Sequence, residues 1–156
     1  MTSSFPIPAP TAVLKRVVVA FWVMFFTIVT TSNIIDLLDV FGFVHWSFLD
    51  STNFAYIRTV VAPHGVGTGA AKMLLLGATA AEATGALLCW WALLARGGGF
   101  VRRALTALTW SAGLWTAFVF MTELFTAYNS ESPFRELLTL TLCSALVVAL
   151  VPDDAR

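Results

Sequence analysis

Four stretches of this chain run nearly free of Asp, Glu, Lys and Arg, and they constrain the fold more than anything else in it. Val17 to Ile35 and Ala104 to Thr122 each span 19 residues, and Met73 to Ala95 spans 23 with Glu82 as its one interruption. The last, Leu137 to Val151, has 15 residues and is lengthened by Pro133 and Phe134. A hydrocarbon core of about 30 Å takes roughly 20 apolar residues as a helix. Inside it every backbone N–H and C=O must be bonded within the segment, which leaves helices as the answer for such runs. The expected fold is all-α, an integral membrane bundle of four transmembrane helices. Composition agrees: 58% of residues are hydrophobic and 12% charged, about half the roughly 25% of soluble domains. A soluble domain this small could not bury so much apolar surface.

The runs divide one membrane domain, 1-156, into parts. A tail at 1-16 precedes span one at 17-35, an outer loop fills 36-72, and span two covers 73-95. An inner turn at 96-103 leads to span three at 104-122, a short outer loop at 123-132 to span four at 133-151, and a tail at 152-156 closes the chain. Span one exceeds the 7–15 apolar residues of a secretory signal and has no clear small-x-small cleavage site, so it reads as a retained helix. Pro133 suits a first helical position with Ser132 as cap and Glu136 in the first turn. Arg96-Gly-Gly-Gly-Phe100 makes spans two and three a tight antiparallel hairpin. Positive charge near the span ends sets orientation. Six Lys and Arg (Lys15, Arg16, Arg96, Arg102, Arg103, Arg156) lie on one side and three (Arg58, Lys72, Arg135) on the other. Both termini are therefore expected in the cytoplasm.

Glu82 is the most informative single residue. It lies about 14 Å inside span two at 1.5 Å per residue, where a carboxyl is expensive and faces the bundle interior. With no Lys or Arg at that depth, the expected form is the neutral acid, able to donate a hydrogen bond. Counting back from Ile35 by the same depth makes Thr27 and Thr30 its expected partners. The site reads either as an interhelical clamp or as a proton or ligand site, and the clamp is favoured. Gly77, Ala81 and Gly85 recur every four residues as a small-residue ridge, and Gly113 with Ala117 repeats it in span three. Such ridges let helix backbones approach closely.

The outer loop carries Phe41, Phe43, Trp46, Phe48, Phe54 and Tyr56, with Arg58 following. So many aromatics rest on the bilayer interface or cap the bundle. A short amphipathic helix around 48–61, ending before Pro63, is expected there. Phe43, Trp46, Phe48, Phe54, Tyr56 and Arg58 make the candidate partner surface.

Other chemistry is thin. His45 and His64 lie outside the spans, so a bilayer haem is not expected. His45, His64, Asp39 and Asp50 lack the spacing of a metal site. Cys89 and Cys143 form no Cys-x-x-Cys pair and read as small packing residues. Trp90 and Trp91 suit an interfacial belt, whereas Trp110 and Trp115 should fill the bundle. No nucleophile sits beside a base, and no catalytic residue, cofactor or metal is expected. Nine basic residues balance nine acidic ones, so nucleic acid is not an expected partner. The expected partners are the lipid bilayer and either a membrane protein or further copies of the chain.

The order of several short pieces resembles a bacterial family of predicted small integral membrane proteins, a four-helix domain of unknown function. The pieces are Asn33-Ile-Ile-Asp36, Phe43-Val44-His45, Asp50, Arg58 after an aromatic, Ala81-Glu82, Leu87-Leu88-Cys89, Trp115, Glu123 and Phe134-Arg135. The similarity covers about Leu14 to Asp153 and implies an inner-membrane protein without an assigned activity. The leading expectation is a non-catalytic accessory subunit or scaffold. The alternative is a small oligomeric proton-coupled transporter using Glu82. Small multidrug transporters are similar in having four helices and one membrane glutamate, but carry it in the first helix.

Overall fold

The computed structural model describes residues 10–46, 48, 52–128 and 131–152. The elements are α1 (Pro10–Val40), α2 (Asn53–Val61), α3 (Thr68–Leu93), α4 (Phe100–Leu124) and α5 (Glu131–Leu150), with 3-10 turns at Ala62–His64 and Gly97–Gly99. No strand occurs among the described residues. Four helices, all but α2, are long and apolar enough to cross a membrane.

The helices run past the charge-free stretches at most ends. Span one was expected to stop at Ile35, but α1 continues to Val40 and takes Asp36 and Asp39 with it. It closes at Gly42, whose φ of +77° is a left-handed conformation. There Phe43 N–H reaches back to Leu38 O at 2.8 Å, the bond pattern that satisfies the last carbonyls of a helix. A charge-free run measures how much chain suits hydrocarbon, whereas helix hydrogen bonding here continues until Gly42 takes positive φ. At the start of α5 the helix begins at Glu131, so Pro133 lies inside the first turn. That position is tolerated because first-turn N–H groups lack helical acceptors anyway. Ser132 is thus not the cap; its hydroxyl donates to Glu136 at 3.0 Å. The short helix α2 begins at Asn53, later than the expected 48, leaving Phe48 in a turn before it.

The core is organised around α1. Trp22 and Phe26 are fully buried. The Trp22 indole N–H donates to Ser144 Oγ on α5 at 3.0 Å. Phe26 stacks on Trp115 of α4, with ring centroids 5.6 Å apart and planes at 7°. Phe26 also lies against Gly85 of α3, where an added Cβ would come within 3.0 Å of its ring. One helix thereby touches the other three through two aromatic side chains.

Both helix ends of the α1–α3 pair are fastened by cations. Arg16 donates to Leu93 O and Ala95 O, each at 3.1 Å, meeting carbonyls that the end of α3 leaves without helical partners. Its guanidinium lies 4.9 Å above the Phe100 ring. At the far end Lys72 donates to Val40 O at 2.9 Å and sits 4.9 Å over Phe41.

Candidate functional site

Most hydroxyl groups on these helices bond to their own backbone. Thr27, Thr79, Thr106, Ser111, Thr116, Thr141 and Ser144 each donate to the carbonyl four residues earlier. A short hydroxyl side chain can satisfy itself within one turn. A carboxyl or carboxamide on a longer arm has no such outlet, so it must find a partner on another helix.

Glu82 does so. It is 5% exposed near the middle of α3, and its Oε2 accepts from Asn33 Nδ2 of α1 at 2.6 Å. Asn33 is 2% exposed, and its Oδ1 accepts from Asn53 Nδ2 of α2 at 2.6 Å. One helical turn further along α1, the buried Asp36 accepts the backbone N–H of Phe54 at 2.8 Å. That bond satisfies one of the N–H groups that the start of a helix leaves open, with the negative charge at the favourable end of the α2 dipole. The result is a buried polar seam joining α3 to α1 and α1 to α2.

Two expectations are corrected here. The partner of Glu82 is Asn33, in place of Thr27 or Thr30. Thr27 donates to Val23 O at 2.6 Å and accepts the Trp90 indole N–H at 3.2 Å, so its hydroxyl is used elsewhere. Thr30 is buried and its Oγ1 has no hydrogen-bond partner among the described residues, as is true of Trp115 Nε1. Glu82 Oε2 also acts as an acceptor, not the expected donor, because Asn33 brings the N–H. Asn33, Asn53 and Asp36 were missed as site residues. Asn33 and Asp36 are three apart on one helix face, a visible signal once α1 is known to continue past Ile35.

The small-residue ridges separate. Gly85 alone is pressed against a neighbour, while an added Cβ at Gly77 or Gly113 would meet nothing within 4 Å. Ala81, Gly113 and Ala117 instead line an open groove of about 830 Å³ between α3 and α4. Trp110 stands at this groove, 41% exposed, rather than filling the bundle. Its indole N–H donates to Ala81 O at 3.0 Å. Trp115, by contrast, is buried as expected.

At the end of the molecule near α2, Phe43, Trp46 and Phe48 are 75%, 56% and 65% exposed. They do not cap the bundle. Phe54 is half-buried, and Tyr56 and Arg58 are exposed. His45 pairs with Asp39, whereas His64 meets Phe125 O at 3.0 Å, so the two histidines serve different neighbours. Asp50 lies outside the described residues, which contain no group of three potential metal ligands. Cys89 is buried, but Cys143 is exposed on α5 and packs against no core.

Chemically, the seam can hold three helices in register and bind a proton at Glu82. Comparisons with known protein families, with curated proteins and with solved structures match nothing.

Proposed function

We propose that the chain is a multi-pass membrane scaffold, a non-catalytic subunit that displays the segment from Phe41 to Arg58 to a membrane protein partner. The observation that carries this reading is the run of bonds from Glu82 through Asn33 to Asn53, with Asp36 holding the first turn of α2. A buried carboxyl at mid-helix is costly, and here its hydrogen bonds reach an outer helix that offers little apolar surface of its own to the core. Of the α2 residues only Val61 is buried. The polar seam does what hydrophobic packing does elsewhere: it fixes the display surface relative to the bundle. Within this reading the chain lies in a bacterial inner membrane with both termini cytoplasmic, as the arginine distribution and the family resemblance imply.

Hydrogen exchange on α2 tests it. Glutamine at position 82 keeps an acceptor for Asn33, whereas alanine leaves a buried N–H unsatisfied. Glu82→Gln should preserve protection of the 53–61 amides and co-purification of a partner, and Glu82→Ala should lose both. Unchanged α2 protection in Glu82→Ala would overturn the scaffold reading.

The carrier reading has one observation in its favour. The seam ends at the half-buried Asn53, so a proton on Glu82 is two polar side chains from the surface. Against it, Asn33 and Asn53 carry amides that do not titrate, and Glu82 lines neither described cavity. In reconstituted vesicles this reading requires Glu82→Gln to fold and yet abolish pH-linked transport.

A further inference from the structure

The groove between α3 and α4 combines three properties that helix packing alone does not explain. It is lined by small residues, Ala81, Gly113 and Ala117, and by Leu88, Leu105 and the buried Leu114. Of the polar side chains along it, Thr106 donates to Arg102 O at 3.0 Å and Trp110 donates to Ala81 O at 3.0 Å, while the exposed Thr109 stands between them. The rest of the lining is mostly hydrocarbon. At one end the groove finishes on Arg102, which is exposed. Arg103 follows it directly in α4, and Arg96 lies just before the Gly97–Gly99 turn that leads into the helix. Arg103 is engaged with the Trp91 ring at 4.7 Å, and among the described residues no acidic side chain pairs with Arg102. Arg102 also lies in the first turn of the 25-residue α4, where the helix dipole favours an anion.

We propose that this groove holds an anionic phospholipid, with an acyl chain along Leu105, Gly113 and Ala117 and the phosphate at Arg102. The dimensions match. From Arg102 to Ala117 the helix rises about 22 Å at 1.5 Å per residue, half of the roughly 40–45 Å that a bilayer spans with its headgroup layers. A charge at the membrane surface and a trough one leaflet deep is the shape of one lipid. A second copy of the chain fits less well. Copies inserted in the same direction would pack this face about a two-fold axis along the helices. That axis brings two copies of Arg102, each beside two more arginines, toward one another. A negative headgroup removes that repulsion where a second copy creates it. The proposal is independent of the scaffold reading, because none of its residues belongs to the Glu82–Asn33–Asn53 seam.

Native mass spectrometry of the full chain, released from detergent with dioleoylphosphatidylglycerol or dioleoylphosphatidylcholine, tests the proposal. The expected result is one phosphatidylglycerol retained per chain, preferred over phosphatidylcholine by about fivefold or more, the effect of one arginine on an anionic lipid. Arg102→Gln should reduce that preference to within about twofold while leaving the melting temperature unchanged. Gly113→Leu should fill the trough and lower retention of both lipids, and Gly77→Leu, on the same bundle but outside the groove, should not. If Gly113→Leu fails to fold, Arg102→Gln decides alone. Equal retention of the two lipids by the unaltered chain would overturn the proposal. So would complete displacement of phosphatidylglycerol by inorganic phosphate, which marks a free-anion site. A dimer that Gly113→Leu dissolves would overturn it as well, since a second copy would then be the occupant.

Discussion

Two sides of α3 are built on opposite terms. Toward α1, Gly85 lies under the Phe26 ring with no room for a methyl group, and Glu82 is bonded to Asn33 at 2.6 Å. Toward α4, Ala81 faces an open trough, and Gly113 across it would accept a Cβ without meeting anything. The same small residues that permit close approach are used on the first side and left uncovered on the second. In lipid, association comes from van der Waals packing and interhelical hydrogen bonds, because burying apolar groups against lipid tails brings no gain. The α1 side has both. The α4 side relies on Trp110 and on contacts further from the trough. Rigidity is therefore concentrated along α1, and the unfilled face is free to take something else.

Substitutions that exchange these terms should give effects in a definite order. Gly85→Leu is expected to be the most damaging, at about 3 kcal/mol, the upper end for overpacking. Phe26 cannot yield, being stacked on Trp115 and edged by Phe25 at 5.7 Å. Thermal unfolding in detergent is the measurement, and an unchanged midpoint would mean that the seam is looser than described. Asn33→Ala comes next, at about 2 kcal/mol, because it takes from the buried Glu82 carboxyl its hydrogen-bond donor and cuts the link from α3 to α2. The same substitution should raise hydrogen exchange in α2 more than in α4. Smallest is the paired comparison of alanine at the two glycines. Gly85→Ala should destabilise by about 1 kcal/mol, since a Cβ 3.0 Å from a locked ring forces movement. Gly113→Ala should stabilise by about 0.5 kcal/mol, as alanine is the better helix former and nothing opposes it. Equal effects at the two positions would erase the distinction between the faces.

The same contrast shows where residue patterns were informative. Four long helices follow from the charge-free runs because lipid leaves the backbone no other structure. Glu82 was identifiable as an interior residue because a lone mid-span carboxyl has to be turned inward. Its partner was not identifiable by depth counting. Depth counted from Ile35 is misplaced, because the helix continues to Val40, which sets Asn33 deeper than the count allows and brings Asp36 inside the helix. Depth also points to Thr27 and Thr30, but the Thr27 hydroxyl is bonded to its own backbone and that of Thr30 meets no partner among the described residues. The small-residue ridges showed a different limit. A repeat of four states that a backbone can be approached, and it carries no information on which helix does so. Gly85 meets α1 because Phe26 stands at that level, a fact that depends on the register of two helices 50 to 60 residues apart. Trp110 and Trp115 illustrate the same point, five residues apart on one helix with one exposed and one buried.

The central claim is that Glu82 and Asn33 act as one interhelical unit. A double-mutant cycle in detergent, with Glu82→Ala, Asn33→Ala and the combination, measures it directly. If the two side chains are bonded, removing the second should cost less once the first is gone, by a coupling of about 1 kcal/mol, within the range of hydrogen bonds between membrane helices. Additivity within about 0.3 kcal/mol would contradict the account.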